Sequence, residues 1–307
     1  MLPEDAVRMR GLTVPRRGRT LLGNVDIAAR GGFMSIVAIS DTLGSRGDAM
    51  GRELARRLGW EFADREGIAK AAEQFGEAVG EIHQVTEERP SLWERFTDSK
   101  RRYLLYVEAT VFELAARDRV VIVGHGSTIM LRNIRHALRV RVSAPERERV
   151  ERIRQSQGLT EAAALDLVRD SDNERAARMR YLYQVDMDDA FLYDLTLNSE
   201  RIDVEDGVRL ITEALTLERV QTTDQTREEA TDQAVAALAR ARLAADPRTR
   251  SQRLSVDARR RRLTLRGFAD SEGHRHAALE ILRSVPGAID TVDETVIPSA
   301  VDTFQRP

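Results

Sequence analysis

SIVAIS (Ser35–Ser40), DTLGSRGD (Asp41–Asp48) and AMGRELARRLG (Ala49–Gly59) follow one another without a break, and their order decides the fold. An apolar β-run feeds a Gly-containing turn and then an amphipathic helix. In that layout the turn amides and the positive end of the helix dipole converge on one point, which suits a polyphosphate. The usual G-x-x-x-x-G-K-[ST] pattern is not met, because Gly47 is followed by Asp48 and Ala49 rather than by lysine and Ser/Thr. The chain has only two lysines, Lys70 and Lys100, so a side-chain clamp on phosphate here is expected to be arginine.

Outward from this unit, strand and helix alternate as far as Arg219. Strand-like runs are WEF (Trp60–Phe62), VVIVG (Val120–Gly124), LRVRVS (Leu138–Ser143) and YDLTLN (Tyr193–Asn198). Helical spacing marks 101–118, 145–157, 160–184 and 204–220, with Pro145 near a helix start and Thr160 as an N-cap. Strands separated by helices predict parallel crossovers, hence a three-layer α/β fold. VVIV is apolar at every position, as expected of a strand covered on both faces.

The remainder divides as follows. Residues 1–33 form a flexible extension, or a leader ahead of a start at Met34. Residues 34–219 are the α/β domain and 220–228 a polar linker. Residues 229–300 have an α-β-β-α-β pattern, a small α+β domain, and 301–307 are a tail. The core expected for the small domain is Leu238, Leu254, Val256, Leu263, Leu265, Leu279, Ile281, Leu282, Val285 and Val292. Gln221–Gln233 has few apolar residues, so the two domains are expected to move independently and to fold as separate pieces.

Composition narrows the function. The 307 residues carry a net charge of −2, so no global field draws the chain to nucleic acid. There is no cysteine, which excludes disulfides, thiolate metal sites and Cys nucleophiles. No run approaches the roughly 20 apolar residues of a spanning helix. The charged N-terminus lacks the apolar segment of a secretory signal, so a cytoplasmic location is expected. His274 and His276 are two apart on a helix and point to different faces, which argues against a metal pair. Asp186, Asp188 and Asp189 read as an exposed acidic loop, Arg259–Arg262 as a charged hairpin tip, and Trp60 and Trp93 as packing residues.

Several blocks in order carry a resemblance. They are AIS-x-x-x-GS-x-G into GRELARRLG, FADRE (Phe62–Glu66), VVIVGHGSTIML (Val120–Leu131), RVSAPERERVERI (Arg141–Ile153), Gly158–Tyr183 and FLYDLTLNSERI (Phe191–Ile202). Together they resemble the cytidylate kinase-like family of phosphate-loop nucleoside monophosphate kinases. Leu263–Val296 resembles a BON domain, which implies a phospholipid or protein partner.

The resemblance implies phosphoryl transfer from ATP, with Mg²⁺, to a nucleoside monophosphate, CMP in particular. It implies that Gly44, Ser45, Arg46 and Gly47 cradle the donor phosphates. Asp64, Arg65 and His125 would hold the acceptor, and Arg169, Arg175 and Arg178 would stabilise the transferring group from a helical lid. No metal-ligating side chain is expected. Arginine suits these roles because its planar fork pairs two phosphate oxygens and phosphoryl transfer depends on positioned positive charge. Against the family pattern, Asp41 and Asp48 stand where arginines are usual, Arg46 replaces a glycine, and His125 replaces the arginine of a Gly-Arg-Gly. A like-charge contact at about 4 Å costs about 4 kcal/mol at an effective dielectric near 20. The loop is therefore expected to bind ATP poorly unless the two aspartates turn away, pair with arginines or hold Mg²⁺. The alternative is a catalytically impaired kinase fold that binds a nucleotide or partner.

Overall fold

The computed structural model describes residues 35–75 and 97–298. The extension 1–33, the tail 301–307 and Trp93 lie outside the described residues. The strands are β1 (Ile36–Asp41), β2 (Glu61–Ala63), β3 (Val120–Val123), β4 (Ala137–Ser143) and β5 (Leu195–Asn198). They form a parallel sheet in the order β2-β3-β1-β4-β5. β1 is central, with Ile36 opposite Val120 on one side and Ala137 on the other.

Because side chains alternate along a strand, each β1 residue serves one of two cores. Val37 and Ile39 pack under α1 (Gly47–Leu58), whose Met50 and Leu54 are fully buried. Val208 and Ile211 of a later helix, Val204–Ala214, complete that face. Ile36 and Ala38 pack on the opposite face, under α2 (Arg65–Ala72) and α3 (Thr97–Arg117). In chain order the rest are α4 (Ser127–Met130), α5 (Glu146–Gln157), α6 (Glu161–Tyr183), α7 (the Val204–Ala214 helix), α8 (Asp224–Ala245) and α9 (Glu272–Arg283). Thr160 caps α6 as expected, its hydroxyl accepting from the Ala163 amide.

The C-terminal body is α8, a sheet β6 (Arg253–Arg259), β7 (Arg262–Phe268), β8 (Asp290–Val296), and α9. β6 and β7 pair antiparallel and β7 and β8 parallel. The expected core assembles with one exception, since Val292 is only half-buried and lies outside it. Arg260 and Arg261 are the hairpin tip, both at positive φ. Their amides donate to the two carboxylate oxygens of Asp232 on α8, at 2.7 and 2.6 Å.

The join differs from expectation. Residues 220–228 are not a linker throughout, because α8 begins at Asp224 under a reciprocal Thr223/Thr226 capping box. Its first two turns are polar outward, yet Ala230, Ala237, Ala241 and Ala244 enter the core built on α3. Alanine allows close helix approach without a bulky apolar stripe, so the contact leaves little trace in hydrophobicity. Arg240 on α8 adds an ion pair to Glu108 on α3 at 2.7 Å and a bond to the Val256 carbonyl.

Candidate active site

The loop between β1 and α1 is held from below. Arg149 of α5 is 6% exposed and donates to the carbonyls of Ala144 and Leu43. It also makes a two-pronged pair with Asp172 of α6, at 2.9 and 2.6 Å. Arg152 donates to the Gly44 carbonyl and to Ser199. Burial, and then the nearby Arg46 charge, push the Arg152 guanidinium below its ordinary pKa. Gly44 has a positive φ, and a Cβ there would meet the Arg149 backbone at 2.9 Å. The loop, α5 and α6 are thus one connected assembly.

α1 starts at Gly47, two residues earlier than the sequence pattern suggests. Gly44–Gly47 therefore lead directly into its first turn, whose amides have no intrahelical acceptor. Arg46 sits at φ 65°, the left-handed conformation that costs a side-chain-bearing residue about 1 kcal/mol. Ser45 is buried and its hydroxyl accepts from the Thr42 amide.

The two aspartates behave differently. Asp48 lies in the first turn of α1, exposed, and pairs with Arg52 at 3.4 Å. Asp41, only 14% exposed, accepts from Arg65 at 2.8 Å and from Arg175 at 3.4 Å. Its carboxylate thus sits between two of the arginines expected to hold phosphate. It also closes against the helix start, since a Cβ on Gly47 would meet the Asp41 Cβ at 2.3 Å.

Arg65, His125, Arg175 and Arg178 line one cleft, together with Ser127 and Tyr183. The cleft lies at the C-terminal ends of β1 and β3, the position expected for ligands in an open parallel sheet. His125 is at φ 51° between Gly124 and Gly126, which also have positive φ. Side chains explain both glycines: a Cβ at Gly124 would meet the Arg65 side chain at 2.6 Å, and one at Gly126 the Tyr183 ring at 2.9 Å. The His125 Nε2 bonds the Arg65 carbonyl at 2.8 Å. Burial pushes the Tyr183 phenol well above its usual pKa, so it stays a neutral donor. Among the described residues the Arg175 Nη1 and the Ser127 hydroxyl are buried without a hydrogen-bond partner.

Two expected residues stand elsewhere. Arg169 is exposed on α6 and tied to Glu146 by two bonds, outside the cleft. It lies six residues before Arg175 on α6 and does not line the cleft. Asp64 caps α2, accepting from the Gly67 amide at 2.9 Å, and pairs with Arg52; it does not line the cleft. Ser127, Tyr183 and Tyr193 line it without having been singled out. The Ser127 position was legible only as part of the GHGST run. Arg141 was also missed: it bonds Ser40 and Asp188 and lies over the Tyr193 ring.

The strand order and a Gly-containing loop running into α1 define an α/β phosphate-loop kinase type of fold. Residues 36–201 match the model of the cytidylate kinase-like family, and 231–298 match the BON domain. The chain belongs to the cytidylate kinase-like family and carries a C-terminal BON domain. It is similar to the cytidylate kinase of Aeropyrum pernix, 28% identical over 176 residues that make up 57% of this chain and 95% of that one. It is similar too to that of Pyrobaculum calidifontis, 27% identical over 180 residues, 58% of this chain and 90% of that one.

Proposed function

We propose that this chain transfers a phosphoryl group from ATP to a nucleoside monophosphate, with CMP the first acceptor to test. The observation that carries the proposal is the meeting of Arg65, Arg175, Arg178 and His125 in one cleft beside the loop that opens α1. First-turn amides and Arg46 would bind the donor phosphates, with Ser45 holding the loop. Arg65 and His125 lie on the acceptor side, and Arg175 and Arg178 reach in from α6. Mg²⁺ takes one or two carboxylates plus phosphate oxygens and keeps several waters. Asp48, exposed at the first turn of α1, would have to leave Arg52 to supply such a carboxylate. Use of ATP fits a cytoplasmic location.

The cleft holds about 60 Å³ of water-accessible space, less than half of the ~150 Å³ that admits a benzene. A nucleoside therefore requires the cleft to widen. The test is CMP-dependent formation of ADP and CDP by the full chain with Mg-ATP. No turnover with any nucleoside monophosphate would overturn the proposal.

Asp41 favours a second reading, a fold that binds nucleotide without turning it over. An internal carboxylate already occupies Arg65 and Arg175, so a phosphate must displace it. Asp41→Ser frees both arginines. ATP affinity is expected to rise about tenfold, which corresponds to about 1.4 kcal/mol. Unchanged affinity in the folded variant would show that Asp41 does not compete with phosphate.

A further inference from the structure

A second cavity, with about 200 Å³ of water-accessible space, lies between α3 and the C-terminal body. Arg101 and Arg102 enter it from α3, Arg240 from α8, and Arg250 from the turn before β6. Among the described residues no Asp or Glu lines it. Arg240 is committed to Glu108 and the Val256 carbonyl. Arg101 and Arg250 are exposed, and neither makes an ion pair among the described residues. Leu105 supplies an apolar wall beside these cations.

Arg101 and Arg250, which make no ion pair among the described residues, focus positive potential into the concavity they share. Guanidinium forks match phosphate oxygens in pairs, and an apolar wall beside them accepts the body of an organic phosphate. We propose that this cavity binds a free phosphorylated small molecule, held chiefly by Arg101 and Arg250. The exposed Arg101 and Arg250 flank a concavity with an apolar wall, a shape that can close around a soluble ligand, whereas a bilayer presents a flat face. The site is separate from the cleft described above and shares none of its residues.

The test is calorimetric titration of the full chain with inorganic pyrophosphate. Binding is expected to persist in Arg175→Ala, which weakens the first cleft, and to fall at least about tenfold in Arg101→Ala/Arg250→Ala, given the strength of charge-assisted hydrogen bonds. Thermal melting of the double variant checks that it is folded, as expected from the exposure of both side chains. Phosphatidylglycerol vesicles form the second arm. Pyrophosphate affinity unchanged by the double substitution, or no pyrophosphate binding by the wild-type chain, overturns the proposal. So does a dependence on these arginines seen with vesicles alone. Kinase turnover, present or absent, does not enter this result.

Discussion

The two faces of the parallel sheet are built in different ways. Under α1 and α7 the core consists of large apolar residues, with Met50, Leu54 and Ile211 fully buried, and every helix on it comes from the kinase-like domain. On the other face α3 covers the sheet and is itself covered by α8, most of which lies in the BON domain match and which joins through alanines. The first face is complete within the kinase-like part of the chain. The second draws its outer layer from beyond it, so separable sequence families need not be separable folding units.

The strongest way to break this contrast is to remove residues 220–307. Leu105, Glu108 and Ala109 on α3 would then lose α8, and we expect a chain ending at Arg219 to lose its cooperative thermal transition and to bind a hydrophobic dye. An unaltered melt would restore the independent-domain expectation. Next in size, Met50→Ala should destabilise the α1 face by about 3 kcal/mol, the ordinary cost of truncating a fully buried long side chain. Ala241→Leu should cost about 2 kcal/mol by overpacking the α3–α8 contact. Urea titrations would measure both, and a neutral Ala241→Leu would mean the helices do not approach closely.

The smallest effect expected is one of pH. His136, at the edge of the second face, is buried, and burial pushes its pKa below the usual value, with Asp118 opposing that shift. A depressed histidine pKa means that the unfolded chain binds the proton more readily. Stability from this site is full above about pH 6.5 and is lost as pH falls below it. His136→Gln should flatten the stability profile between pH 7 and 5. An equally steep loss in the variant would assign that dependence to other groups.

The sheet and its helices were legible because their cues are local and redundant. VVIV needs cover on both faces, Thr160 caps α6, and Leu263 and Leu265 alternate into a core. The site was legible less evenly. Arg65, Arg175 and Arg178 line the cleft, whereas Arg169 does not, because an arginine-rich helix shows several faces and spacing alone does not say which turn reaches the loop. Asp41 was legible as a charge of the wrong sign, but its partners lie 24 and 134 residues away, a distance that no local pattern spans. The α8 seam was missed for the opposite reason, since alanine carries almost no signal of its own.

Asp232 has a consequence of a different kind. Hairpin tips with two residues at positive φ are ordinarily filled by Asn-Gly or similar pairs. Here Arg260 and Arg261 hold that conformation, and the strain is offset by a carboxylate delivered from a helix outside the hairpin. Shape and charge at the tip are therefore specified by separate parts of the chain. The turn can change its residues, and so its electrical character, while Asp232 keeps its geometry. Conversely, loss of that one carboxylate would leave Arg260 and Arg261 intact in sequence but without a fixed presentation.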